Sequence, residues 1–442
     1  MTAPDRKKAP VIVGFTALSM PHFDRVILPN GVTIHWLDGC EEDVSRISLI
    51  WMAGYLDTPR LATLNVMEEL FVEGCVGHTG AEVSDTLESC GAWFRASASG
   101  HSLCCSLKGI NKTASTVLPL MRDMVAAPLF PGTSLEAVVQ KMAAAREVSL
   151  KRPSVQAALI CREAVYGPGS PLSFHLTPDE IRNTTRSELQ AVHRNLCLSA
   201  PPVIFLSGRI TDSLLALVGD VFGNMEFITD NPEAIARHAV SHEPLKQSVE
   251  VSKDMPRSLQ TGVRIQIPTI DRRHPHFMAL RIAVMALGGY FGSRLMSNVR
   301  EDKGYTYGIS ASTVSTIEGS SVVISTECDN CYVRPLLAEV DNEIDRLASE
   351  TLPDEEMTAV RNVLLSSAAN LLDSPFSISG YKEMLATTGQ PDDTFAKNFR
   401  EIMSVTPADV RDAARRYILE APRVTALAGH QPGWDFLTIL VP

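Results

Sequence analysis

The chain has 442 residues, more than one core usually organises, so at least two domains are expected. Apolar residues make up 45% and charged ones 21%, the balance of an ordinary soluble globular protein. Forty Lys and Arg against 51 Asp and Glu leave a net charge of −11, which disfavours nucleic acid as the main partner, and no apolar stretch approaches the ~20 residues of a membrane helix.

In chain order, Lys7 and Lys8 precede a short apolar run with no A-x-A-like cleavage site, which reads as an unprocessed start and a cytoplasmic protein. Leu28-Pro-Asn-Gly31 is a turn between strands at 25–28 and 32–37, and 46–53 is a further strand. A helix is predicted near 61–74, with Leu64, Met67, Leu70 and Phe71 as its apolar stripe. Asn65, Glu68 and Glu69 share the opposite face, and from residue types alone that is a solvated polar face.

The helix predicted at 185–196, beginning Thr185-Arg-Ser-Glu188, resembles a segment beginning Thr406-Pro-Ala-Asp409 at an offset of 221 residues. Each is followed by Pro and a strand-like run ending in Gly, at Gly208 and Gly429. Upstream, Pro131, Pro153 and Gly167 pair with Pro353, Pro375 and Gly389 at an offset of 222. The chain therefore reads as a tandem repeat of one α+β domain, a mostly antiparallel sheet with helices on one face. The expected division is a domain at 1–225, a linker at 226–254 and a second domain at 255–442. In the second domain, strands at 307–315 and 321–326 flank a hairpin at Glu318-Gly319-Ser320.

Nine cysteines without a framework suggest free thiols in a reducing compartment, and Cys328 and Cys331 form a lone C-x-x-C with no second pair for a zinc ribbon. His238 and His242 fall in the linker, and His274 and His276 flank Pro275 and cannot share a helix. Gly288, Gly289 and Gly292 lack the Lys-Ser/Thr of a phosphate loop.

The run Met285-Ala-Leu-Gly-Gly-Tyr-Phe-Gly-Ser-Arg-Leu-Met-Ser-Asn-Val-Arg-Glu-Asp-Lys-Gly-Tyr-Thr-Tyr307 resembles the second-domain signature of the pitrilysin and mitochondrial processing peptidase family of zinc metallopeptidases. Leu28-Pro-Asn-Gly31 is similar to the family's opening hairpin. In that family the first domain carries the inverted motif H-x-x-E-H and a distal Glu, with both His and the distal Glu on zinc and the central Glu as general base. The resemblance maps the ligand positions onto Asn65, Glu69 and Ala145, and the base onto Glu68. It implies that Arg300 holds a substrate carbonyl and that Tyr307 donates to the scissile carbonyl oxygen. It also implies that a peptide pairs with the strand after Gly91-Ala92, along Ala96, Ser97 and Ala98.

Asn65 offers a neutral amide and Ala145 offers nothing, so no metal is expected on this chain and no peptide hydrolysis by it alone. The resemblance implies the zinc-less subunit of a two-chain peptidase, with zinc in a homologous partner, a peptide as substrate, and no nucleic acid or membrane. The alternative is a non-enzymatic peptide-binding or assembly protein, and a third reading is an autonomous peptidase with a variant metal site.

Overall fold

The computed structural model describes residues 18–238, 240–430 and the backbone of 439–440. The charged start at Lys7 and Lys8 and most of the apolar run after it lie outside the described residues.

The first half contributes β1 (Asp24–Ile27), β2 (Thr33–Asp38), β3 (Val44–Trp51), a small hairpin of β4 (Gly74–Cys75) and β5 (His78–Thr79), then β6 (Trp93–Ala98), β7 (Leu103–Ile110) and β8 (Val203–Gly208). The second contributes β9 (Val249–Asp254), β10 (Gln260–Thr269), β11 (Thr306–Ser315), β12 (Ser320–Asp329), β13 (Val424–Gly429) and β14 (Ile439–Leu440). Apart from the hairpin, the strands form two six-stranded sheets, ordered β1-β2-β8-β3-β7-β6 and β11-β12-β10-β13-β9-β14. Read from opposite ends the two orders coincide, with β9 in the place of β2, β13 of β8, β10 of β3, β12 of β7 and β11 of β6. In each sheet one parallel pair (β2 with β8, β9 with β13) sits among antiparallel neighbours. The fold is α+β.

The repeat has local causes. Thr185 and Thr406 each close a capping box, with Glu188 and Asp409, satisfying amides that a helix start leaves unpaired. Pro153 and Pro375 each open a helix, where the missing N–H costs nothing. At Gly208 φ is +127° and a Cβ would lie 2.3 Å from the Val44 carbonyl oxygen, so only glycine lets β8 end there.

Strand alternation sets the cores. Ile47, Leu49 and Trp51 of β3 and Leu103, Cys105 and Leu107 of β7 face the helices of the first half. Val263, Ile265 and Ile267 of β10 do the same in the second. Burying a side chain of this size stabilises by about 1.5–3 kcal/mol, which explains why the Leu64, Met67 and Leu70 stripe holds its helix down.

The opposite face of each sheet receives a helix from the other half. Cys161 and Val165 of the Pro153–Tyr166 helix pack on Val424 and Ala426 of β13. Reciprocally, Ile378 of the Pro375–Thr387 helix packs on Phe23 and Leu37 of the first half. Arg46 of β3 pairs with Glu383 at this second seam, and burial pushes the Glu383 carboxyl up despite that partner. The described residues of the stretch 226–248, within the expected linker, form no regular element, and β9 already belongs to the second sheet.

Candidate functional site

The Leu61–Leu70 helix buries its apolar stripe and presents Asn65, Glu68 and Glu69 along one side. Arg60, just before it, is tied to the Glu188 carboxylate and donates to the Glu180 carbonyl, which fixes where the helix enters. The Asn65 side-chain NH2 donates to the Leu61 carbonyl at 2.8 Å, which leaves only its neutral amide oxygen to offer a cation. Glu69 is exposed, and Ala145 is exposed on the Gly132–Ser149 helix. Glu68 is half-buried, and that burial pushes its carboxyl up to about 7; the Ala98 backbone amide and Arg95 pull the other way, while Glu69 adds to the rise.

These residues do not fit a zinc ion. A neutral amide oxygen, one exposed carboxylate and an alanine fall short of the three good ligands that a catalytic zinc takes. Among the described residues no set of three His, Cys, Asp or Glu side chains converges on a cation position.

Beside Glu68 runs β6, an edge strand paired only to β7. Ala96 and Ala98 turn towards the core and Ser97 away from it, so small side chains leave the free backbone edge open. Trp93, at the start of the strand, is 71% exposed.

The second pair lies on the other sheet. Arg300 belongs to a π-helical turn, Met296–Asp302, and stacks over the Phe291 ring at 4.8 Å, with Glu301 3.9 Å away. Tyr307 lies on β11, also an edge strand, at a break in register between Thr306 and Ile309. The Thr306 hydroxyl holds that bulge, donating to the Glu327 carbonyl at 2.7 Å and accepting from the Gly308 amide at 3.1 Å. Tyr307 is thereby pushed out to 94% exposure, at an open cleft of about 480 Å³. Among the described residues no hydrogen bond, ion pair or ring contact joins Arg300 or Tyr307 to Asn65, Glu68 or Glu69. Each set is assembled within its own half.

Sequence reasoning missed a buried polar group where the two β-hairpin tips meet. Asp57 accepts from the Gly54 amide at 2.8 Å and the His238 amide at 3.0 Å, and faces His101 Nδ1 at 3.0 Å. The other ring nitrogen of His101 meets Glu318, from the β11–β12 turn. These side chains are almost wholly buried, which is tolerable only because each has partners. No local pattern signals it, because the partners of His101 are 44 and 217 residues away.

The remaining candidates have structural roles. His238 caps this group at 3.2 Å from Asp57, whereas His242 stacks edge-on against Tyr166, so the two form no ligand pair. His276 faces the Tyr417 hydroxyl at 2.9 Å. All nine cysteines are free; burial raises the Cys328 thiol to about 12, and the Asp329 carboxylate raises that of Cys331.

Residues 183–364 match the Peptidase M16 inactive domain family. An uncharacterized zinc protease of Streptomyces coelicolor is 20% identical over 382 residues, 84% of this chain and 82% of that protein. Another, from Mycobacterium tuberculosis, is 22% identical over 327 residues, 71% of this chain and 72% of the relative. The crystal structure of a peptidase M16 inactive domain from Pseudomonas fluorescens superposes with a TM-score of 0.82 at 21% identity, covering 94% of this chain and all of the other. A protease from Helicobacter pylori gives a TM-score of 0.83 at 14% identity, with 93% and 100% covered. With the signature around Arg300 and Tyr307, these likenesses place the chain among the relatives of the pitrilysin-type (M16) zinc proteases, with the M16 inactive-domain sequence at its centre.

Proposed function

We propose that this chain is the metal-free subunit of a two-chain zinc peptidase, lending Arg300 and Tyr307 to a partner that carries H-x-x-E-H and the zinc. The observation that carries this reading is Tyr307: a tyrosine 94% exposed on an edge strand, with its bulge pinned by Thr306, is poised for something outside the chain. A hydroxyl held there suits donation to a developing oxyanion, and Arg300 suits a grip on a peptide carbonyl. The open edge of β6 at Ala96, Ser97 and Ala98 gives an extended peptide a strand to pair with. Nine free thiols suit the cytoplasm.

The test is co-expression with a homologous chain bearing an intact zinc motif, followed by steady-state cleavage of a peptide. Tyr307→Phe leaves the complex assembled and lowers kcat ~10²-fold, about 2.7 kcal/mol of lost transition-state stabilisation. Arg300→Ala raises KM more, because it grips the carbonyl in ground and transition states alike. If both variants cleave at the wild-type rate, the peptidase role is withdrawn in favour of a peptide-binding or assembly protein.

A further inference from the structure

The cleft beside Tyr307 contains an arginine that has no ion-pair partner among the described residues. Arg264, on β10, points to the face that the Pro153–Tyr166 helix covers, and its one hydrogen bond is from Nη1 to the Ser325 hydroxyl at 3.3 Å. Its Nε is buried and has no partner, and no carboxylate lies within ion-pair distance of it among the described residues. A second guanidinium, Arg162 of the same covering helix, acts on it unfavourably, and its Nε is likewise buried and unpartnered. Burial and Arg162 together lower the Arg264 pKa. One carboxylate, Glu327, also lines the cleft; one of its oxygens accepts the Ser154 amide at 2.9 Å, and it makes no ion pair with Arg264.

Arg264 is half-buried at the wall of an open cleft, so an anion entering the cleft meets a guanidinium that no carboxylate of the described residues holds in an ion pair. Arginine's planar fork matches a carboxylate better than any other common anion in a peptide. The cleft around it has room for a side chain and is lined by hydroxyls of Ser154, Ser325 and Thr326, with Tyr307 at its edge.

We propose that this cleft is a carboxylate subsite, in which Arg264 receives an acidic side chain or the terminal carboxylate of a peptide lying past Tyr307. The proposal deepens the reading above, since it rests on Tyr307 facing substrate, and it makes the substrate class acidic peptides.

The test titrates the full chain calorimetrically with N-acetyl-glutamate and, as the neutral control, N-acetyl-glutamine amide. Two peptides separate the sources of the carboxylate, one with an internal Glu and an amidated end, the other with Gln and a free end. The acid should bind at least tenfold tighter than the neutral control, and Arg264→Gln should abolish that preference. Ser325→Asp, which supplies a carboxylate from the neighbouring strand, should also block binding while raising the melting temperature. Equal binding of acid and neutral control, a preference that survives Arg264→Gln, or a lowered melting temperature in Ser325→Asp with binding intact would each overturn the subsite. The two readings fail separately: no acid preference with Tyr307→Phe still slowing the complex removes only the subsite. The reverse result removes only the peptidase role.

Discussion

Glu68 is the residue whose environment does most to change its chemistry. An ordinary glutamate loses its proton near 4.5, and burial moves this one to about 7. For an acid with a raised pKa, the unfolded chain releases the proton first, so folding is penalised as pH climbs through the interval between the two values. The penalty is absent below 4.5 and complete above about 7. Glu68→Gln should therefore stabilise the protein at pH 8 by about 1–2 kcal/mol, allowing for the partial exposure of the side chain, and by little at pH 4.5. Urea unfolding at the two pH values measures this, and a gain of equal size at both would refute the shift. The helical spacing of Asn65, Glu68 and Glu69 was legible because three and four residues suffice to define a face. The environment of Glu68 was not, because it comes from β6, about 30 residues onward.

At the scale of elements, the exchange of helices depends on backbone approaching backbone. A Cβ on Gly262 of β10 would lie 2.5 Å from the Pro153 carbonyl carbon and the Ser154 amide nitrogen. Gly262→Ala should push the Pro153–Tyr166 helix from the second sheet and destabilise the protein by about 1–3 kcal/mol, the usual cost of overpacking. Thermal melting together with faster proteolytic cutting of that helix would bear this out, and an unchanged melting temperature would speak against the close fit. The repeat itself was plain in the sequence, since a capping box and an N-terminal proline leave the same mark wherever they occur. The exchange left no mark. Pro153 and Pro375 keep their register of 222 residues whether each helix covers its own sheet or its neighbour's, and both sheets show a similar apolar face to whatever arrives.

On the scale of the whole molecule, the two halves are held by three unlike seams: the two traded helices and the buried Asp57–His101–Glu318 group between the hairpin tips. The internal repeat and the family resemblance made two sheets of one topology readable in advance. What they could not give was Arg264, whose meaning comes from having no ion-pair partner among the described residues, and a missing ion pair has no sequence pattern. The described residues of 226–248 form no regular element, and His238 among them reaches back to Asp57.

Two copies that have traded a helix have given up their independence. A gene fragment ending before β9 encodes a first sheet whose Phe23 and Leu37 face water and a Pro153–Tyr166 helix with nothing to cover. Such a piece should aggregate when made alone, and so should its complement. Made together in one cell, each piece holds what the other lacks, and the pair should co-purify as a soluble complex; two separately soluble fragments would contradict the exchange. A lesion in either copy is thus felt first in the other, some 220 residues away along the chain but one side chain away in space.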